Sequence, residues 1–170
     1  MANIAANPWS FTNADQATTV AITSIVRNAQ GSALVTTSAA HGFTGNEQIS
    51  IQGTTVTGWR GGYRVLAAPS TTTFLVAIPD YKRTLANNGA NGNVLTAAYM
   101  DIIRAEQILW DSPGTAAVLL LTDVNGNVVW NPTASTADPG GGSLTYGKTY
   151  FIRGLVINTL PSGTVQITVN

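Results

Sequence analysis

The stretch His41–Ile78, HGFTGNEQISIQGTTVTGWRGGYRVLAAPSTTTFLVAI, decides the fold class. Ile49 and Ile51, Tyr63 and Val65, then Phe74, Val76 and Ile78 recur at every second position, with hydroxyl or other polar side chains between them. Successive side chains of a β-strand point to opposite faces, so a period of two sets an apolar face against a core and a polar face toward water. The intervening segments, 42–46, 53–62 and 68–71, are rich in residues that tolerate positive φ or bond their own backbone. Short strands at this spacing predict a β-barrel or sandwich.

Working outward, Val20 and Ile22 extend the alternation upstream, with Leu34 and Val35 after them. Asn87–Asn93, NNGANGN, precedes the brief apolar pair Val94 and Leu95, which puts a boundary near Thr96. Residues 18–96 are therefore read as a small barrel module and residues 97–170 as a second, sandwich-like β domain. The expected fold class is all-β. Within 97–110 a helix competes with a strand, because Tyr99, Ile102, Ile103 and Leu109 can share one helical stripe. The strand is preferred, since the elements that follow are plainly β. Asn125-Gly126 predicts a β-hairpin with a type I′ turn, in which both central residues take positive φ. Residues 131–147 form a long loop with Pro132, Pro139 and Gly140 to Gly142, of a kind that usually functions or flexes. Residues 1–17 show neither period and read as an extended arm carrying Trp9 and Phe11. Such an arm docks either on a neighbouring subunit or back on its own core.

Charged residues make up only 9% of the chain, against about 25% in ordinary soluble domains. Lys plus Arg and Asp plus Glu number 8 each, so no net field gathers a polyanion, and nucleic acid is not an expected partner. So few charges give a free monomer little colloidal protection, which favours a homo-oligomer or lattice. Cysteine is absent, which excludes disulfides and thiolate chemistry. With no apolar run near 18 residues and no export signal at the start, the expected chain is made in the cytoplasm and spans no membrane.

No catalytic, cofactor or metal site is expected. The sole histidine, His41, precedes Gly42 at a strand-turn corner, where its ring is expected to bond a backbone carbonyl. The carboxylates include no close facing pair of the kind glycoside hydrolysis uses. Asp123–Asn127, DVNGN, fails the spacing of a calcium loop. Trp59, Arg60, Tyr63 and Arg64 could form an aromatic-basic platform, but alternation sends the two aromatics one way and the two arginines the other. The residues expected at an interface are Trp9, Phe11, Trp59, Trp130 and Tyr146.

The ordered pattern His41-Gly42-Phe43, Glu47, Ile49-Ser50-Ile51-Gln52-Gly53, Gly61-Gly62-Tyr63-Arg64-Val65 and Thr72-Thr73-Phe74 resembles a short β-module of bacteriophage structural proteins. That module is similar to the first catalytic-cysteine half-domain of ubiquitin-activating enzymes, whose activity does not carry over. Asn46 stands where the usual pattern has a turn glycine, and Arg60 where it has asparagine. The resemblance implies a non-enzymatic virion protein. A capsid decoration or cement protein is expected first, bound to the major capsid protein or other virion subunits, with a trimer as one closed form. A tail or head-to-tail connector component and a carbohydrate-binding module using Trp59, Tyr63 or Trp130 are the alternatives.

Overall fold

The computed structural model describes residues 7–28, 31–82, 84–97, 99–111, 117–133, 142–161 and 163–170, and of residues 81, 144 and 146–149 the backbone alone. The strands are β1 (Trp9–Thr12), β2 (Thr19–Arg27), β3 (Ser32–Thr37), β4 (Gln48–Gln52), β5 (Gly61–Ser70), β6 (Thr73–Ala77), β7 (Asn93–Thr96), β8 (Tyr99–Asp111), β9 (Leu120–Thr122), β10 (Val128–Trp130), β11 (Gly142–Thr159) and β12 (Thr164–Val169). The chain is all-β, and its pairings are antiparallel. It divides into two units, one of Thr18–Ala97 with Val124–Gly126, the other of Met1–Ala17, Ala98–Asp123 and Asn127–Asn170.

In the first unit the strands close into a barrel in the order β2-β3-β6-β5-β4-β7. Its interior is the alternating set read from sequence: Ile49 and Ile51, Tyr63 and Val65, Phe74 and Val76, with Val20, Ile22, Ile25, Val35 and Val94. Along β2 the inward residues step by two from Val20 to Ile22, then by three to Ile25, where the register against β3 shifts between Ile22 and Ser24. That is a β-bulge: one extra residue keeps the apolar side chains inside while the strand bends around the barrel.

Closure depends on a seam that β7, four residues long, only half fills. Beyond it, Ile22 N–H donates to Gly92 O (2.9 Å), and Ile25 and Asn88 exchange backbone bonds of 2.8 and 3.0 Å. The Asn88 side chain is buried and saturated: its Oδ1 accepts from Val56 N–H (3.1 Å), and its Nδ2 donates to the carbonyls of Gly89 (2.8 Å) and Asn91 (3.1 Å). At Gly92 φ is +89°, and a β-carbon would sit 2.6 Å from the Gln52 carbonyl oxygen, so only glycine fits. The NNGANGN cluster is thus the material that finishes the barrel wall.

The second unit is a six-stranded sheet in the order β1-β12-β8-β11-β9-β10. Strand β8 resolves the helix-strand ambiguity of 97–110 in favour of strand, and its register shows why the pattern is ambiguous. Its inward residues are Ile103, Ala105, Ile108 and Trp110, and Val169 and Thr168 of β12 pair with Ala105 and Gln107, leaving Glu106 as a bulged extra residue. The helical stripe over Tyr99, Ile102, Ile103 and Leu109 mixes the inward Ile103 with the outward Ile102 and Leu109, so apolar side chains on the exposed face imitate helical spacing. Strand β11 makes the same three-residue inward step as Ala105 to Ile108, from Ile152 to Leu155 across Gly154 (φ +69°), and there its pairing passes from β8 to β9. Leu119 and Leu121 so join Ile103, Ile108 and Trp110 in one core. The second domain, expected to be sandwich-like, is built on this one long strand shared between two sets of partners.

The loop expected over 131–147 ends sooner than its composition suggests. Strand β11 already begins at Gly142, which pairs with Trp110, and Thr145 pairs with Gln107. The end of β8 supplies a ladder for this polar stretch, so hydrogen bonding to a neighbour overrides the weak strand propensity of Gly and Ser. Residues 134–141 lie outside the described residues.

Strands β9 and β10 pair as expected for the hairpin, but the turn is not type I′. Gly126 (φ +89°) has positive φ and Asn125 does not. The Asp123 carboxylate closes the loop instead, accepting from Asn127 N–H (2.9 Å) and Nδ2 (2.8 Å), while Asp123 N–H donates to Asn127 O (2.9 Å). A side-chain clamp replaces the second positive φ.

The N-terminal segment docks on its own chain. Strand β1 pairs with β12, Trp9 opposite Ile167 and Thr12 opposite Thr164. Beyond its start, the Asn7 side chain donates to Val169 O (2.7 Å) and accepts from Val169 N–H (3.1 Å), imitating one more ladder pair. Asp15 accepts from Thr12 N–H (2.9 Å), Leu160 N–H donates to Gln16 Oε1 (2.9 Å), and Ala17 N–H to Ile157 O (2.7 Å). Phe11 is fully buried beside Val165 and Ile167. Replacing Phe11 by Ala should therefore lower unfolding stability in urea by about 3–5 kcal/mol, the usual cost of emptying a buried Phe site; an unchanged midpoint would mean that β1 is dispensable to the fold.

Candidate functional site

The aromatic residues expected at an interface separate once placed. Phe11 and Trp59 are 0% exposed and have no surface to offer a neighbour. Each fills a core because its strand or turn runs against its own unit. Trp59 ends a short 3-10 turn, Thr57–Trp59; its Nε1–H donates to Ala86 O (2.8 Å), and its carbonyl accepts the Tyr63 hydroxyl (2.7 Å). Trp9 is half-buried against Tyr99, ring centroids 4.8 Å apart, at the border of the sheet core. Trp130 is half-buried over the start of β11, its ring near Gly142. The Tyr146 side chain lies outside the described residues. With Trp59 and Tyr63 both buried, the aromatic platform expected of a carbohydrate-binding module does not exist at that place.

His41 occupies the strand-turn corner as a structural group. Its Nδ1 accepts from Phe43 N–H (2.9 Å), so the proton sits on Nε2, which donates toward Ser70 O (3.1 Å) and Thr73 O (3.3 Å). The ring packs between Phe43 and Phe74, at 4.9 and 5.1 Å between centroids. Both nitrogens are committed to backbone, which leaves none to accept a substrate proton. An open depression of about 580 Å³ is lined by His41 with Phe43, Thr44, Ala68, Ser70 and Thr71, and His41 is the ionisable side chain among its lining residues.

Next to this corner the loop Thr44–Glu47 turns on Asn46 (φ +74°), at the position where the resembled pattern has glycine. Glu47 gathers the loop: one carboxylate oxygen accepts from Thr44 N–H and the Thr44 hydroxyl (both 2.8 Å), the other from Gly45 N–H (2.7 Å). Desolvation alone would raise its pKa, but the hydrogen bonds from Thr44, from its own backbone and from Gly45 outweigh it, and the group lies at about 2 instead of 4.5.

Lys82 is the charged residue that sequence reading missed. It is buried, its Nζ donates to Arg60 O (3.0 Å) and to the Tyr63 hydroxyl, and it stands 4.5 Å from the Tyr63 ring centroid. Burial lowers its pKa from 10.5 to about 8. Nothing in PDYKRT distinguishes this lysine from a solvated one, because its burial is made by residues some twenty positions away. Among the described residues no group of three or more His, Asp or Glu side chains could hold a metal, and no helix is long and apolar enough to cross a membrane.

What does stand out is an exposed sheet face. Ile102 is 63% exposed, Phe151 60% and Leu109 40%, all on the outer side of β8 and β11. The pairing sets Phe151 opposite Arg104 and Arg153 opposite Ile102, and the Arg104 guanidinium lies 5.8 Å from the Phe151 ring centroid. Sequence pattern could have found this face: Ile102 and Ile103 are adjacent in a strand, so one of them must point out.

Comparison with family models, with curated proteins and with solved structures finds no match to this chain.

Replacing Glu47 by Gln should cost ~1 kcal/mol near neutral pH, discounted for the partial exposure of the loop. A carboxylate with a depressed pKa stabilises the fold above its unfolded value and loses that contribution as pH falls. The difference between wild type and variant should therefore be full above pH 4.5 and vanish as pH drops through about 2. Urea midpoints measured from pH 7 to pH 2 check it; a difference independent of pH would remove the carboxylate charge from the account.

Proposed function

We propose that this chain is a non-enzymatic structural subunit of a bacteriophage particle, and within that class a capsid decoration protein that binds across the joints of the major capsid protein. The observation that carries the reading is the exposed apolar face of β8 and β11 on a chain with 9% charged residues. Ile102 and Phe151 lie diagonally on neighbouring strands and Leu109 stands farther along the same face, exposed apolar side chains that a subunit contact would cover. The commitment of the only imidazole to backbone, and of the Asp123 carboxylate to its own turn, takes two candidate groups away from chemistry.

The resemblance of His41–Val76 to the phage β-module supports this reading as one continuous pattern within one barrel. Ile49, Ile51, Tyr63, Val65 and Phe74 line one barrel, and His41-Gly42 makes its corner. Under this reading the protein is made in the host cytoplasm and resides in the virion, and the sheet unit is the part that meets other subunits. Binding would stabilise the shell by removing apolar area from water, about 25 cal/mol per Å² before ordering costs.

The test is addition of the purified full chain to shells assembled from bacteriophage major capsid proteins. Saturable co-sedimentation and a rise in the temperature of shell disruption are expected. A chain that stays in the supernatant at all ratios would overturn the decoration reading.

A further inference from the structure

The bulge in β8 gives the outer side of that strand a symmetry. Outward from Ala105 in one direction the exposed positions are Arg104, one pleat step away, and Ile102, three steps away. In the other direction the bulged pair Glu106 and Gln107 occupies one step, Ile108 the second, and Leu109 the third. The row therefore reads apolar, positive, negative, apolar about its own midpoint: Ile102, Arg104, Glu106, Leu109.

A two-fold interface must be self-complementary, each residue i meeting j while j meets i. A two-fold axis lying between two such faces and crossing β8 over Ala105 sets one copy's Ile102 against the other's Leu109, and Arg104 against Glu106, twice each. Facing sheets pack with their strands nearly aligned, which this antiparallel arrangement of the two β8 strands allows. Within the chain the Arg104 guanidinium rests near the ring of Phe151, which steadies it beside the row and leaves its charge on the exposed face.

We propose that the outer face of β8 and β11 is a homodimer interface, in which Arg104 of each copy pairs with Glu106 of the other and Ile102 packs on Leu109. The occupant is a second copy because the charges of this row complement themselves. The inference rests on the assembly reading only in taking this face for a subunit contact; it gives the face to a second copy, so that the dimer meets the shell through its other surfaces, and a chain that binds shells as a monomer sinks the dimer and spares that reading.

The experiment is sedimentation equilibrium of the full chain and of charge-reversed variants at low ionic strength. Wild type should be dimeric. Arg104→Glu faces acid with acid and Glu106→Arg faces base with base, so each alone should weaken self-association tenfold or more. An equimolar mixture of the two single variants should recover it, because every facing pair is then opposite in sign, and so should the double variant. These side chains are exposed, and unchanged circular dichroism checks that the variants keep the fold. A monomeric wild type, a trimer, association indifferent to the reversals, or no recovery on mixing would each overturn the proposal, as would a monomer that floats with phosphatidylcholine vesicles.

Discussion

Strands β2 and β8 each carry one residue more than their pleat can use, β11 makes the same three-residue inward step at Gly154, and the placement of these steps governs which side chains reach a core. In β2 the inward series runs Val20, Ile22, Ile25; in β8 it runs Ile103, Ala105, Ile108, Trp110; in β11 it runs Ile152, Leu155, Ile157. Each step of three falls where the register against a neighbouring strand shifts. Without the extra residue, the strict alternation of a β-strand would turn one end of the apolar series toward water. With it, β2 bends to follow a closed barrel, and at Gly154, where φ is +69°, β11 passes from β8 to β9.

This constraint explains what can be read from the chain directly and what cannot. Residues 48–52, 61–65 and 73–77 alternate strictly wherever they face the barrel, and their strands and inward residues follow from periodicity. Residues 99–111 look half-helical because Ile102 and Leu109 put apolar side chains on the exposed face beside the inward Ile103, and only the neighbouring strand shows that Glu106 is the extra residue. The Asn125-Gly126 pair does predict a hairpin. Its turn geometry escapes the pattern, since the clamp from Asp123 to Asn127 makes one positive φ sufficient.

The candidate interface residues fare differently for a related reason. Phe11 and Trp59 stand out as large apolar groups in segments without a clear period, yet irregular segments also need anchors, and both anchor their own unit. Asn88 sits in a Gly/Asn cluster that composition places just before a boundary, while its amide satisfies Val56, Gly89 and Asn91 at the barrel seam. Such roles depend on partners distant in sequence. The exposed face is written in the adjacent Ile102 and Ile103, but alternation names the outward residue only once the bulge is located.

Two single-residue deletions in β8, compared by urea unfolding, test most directly whether the bulge sets the core. Removing Glu106 restores strict alternation with Ile103, Ala105, Ile108 and Trp110 still inward, so the fold should keep its stability to within about 1 kcal/mol. Removing Leu109 leaves no register that buries both Ile108 and Trp110 without bending the strand elsewhere, and should cost about 3 kcal/mol or more. Equal losses from the two deletions, or a larger loss from removing Glu106, would contradict the claim that the bulge sets the core.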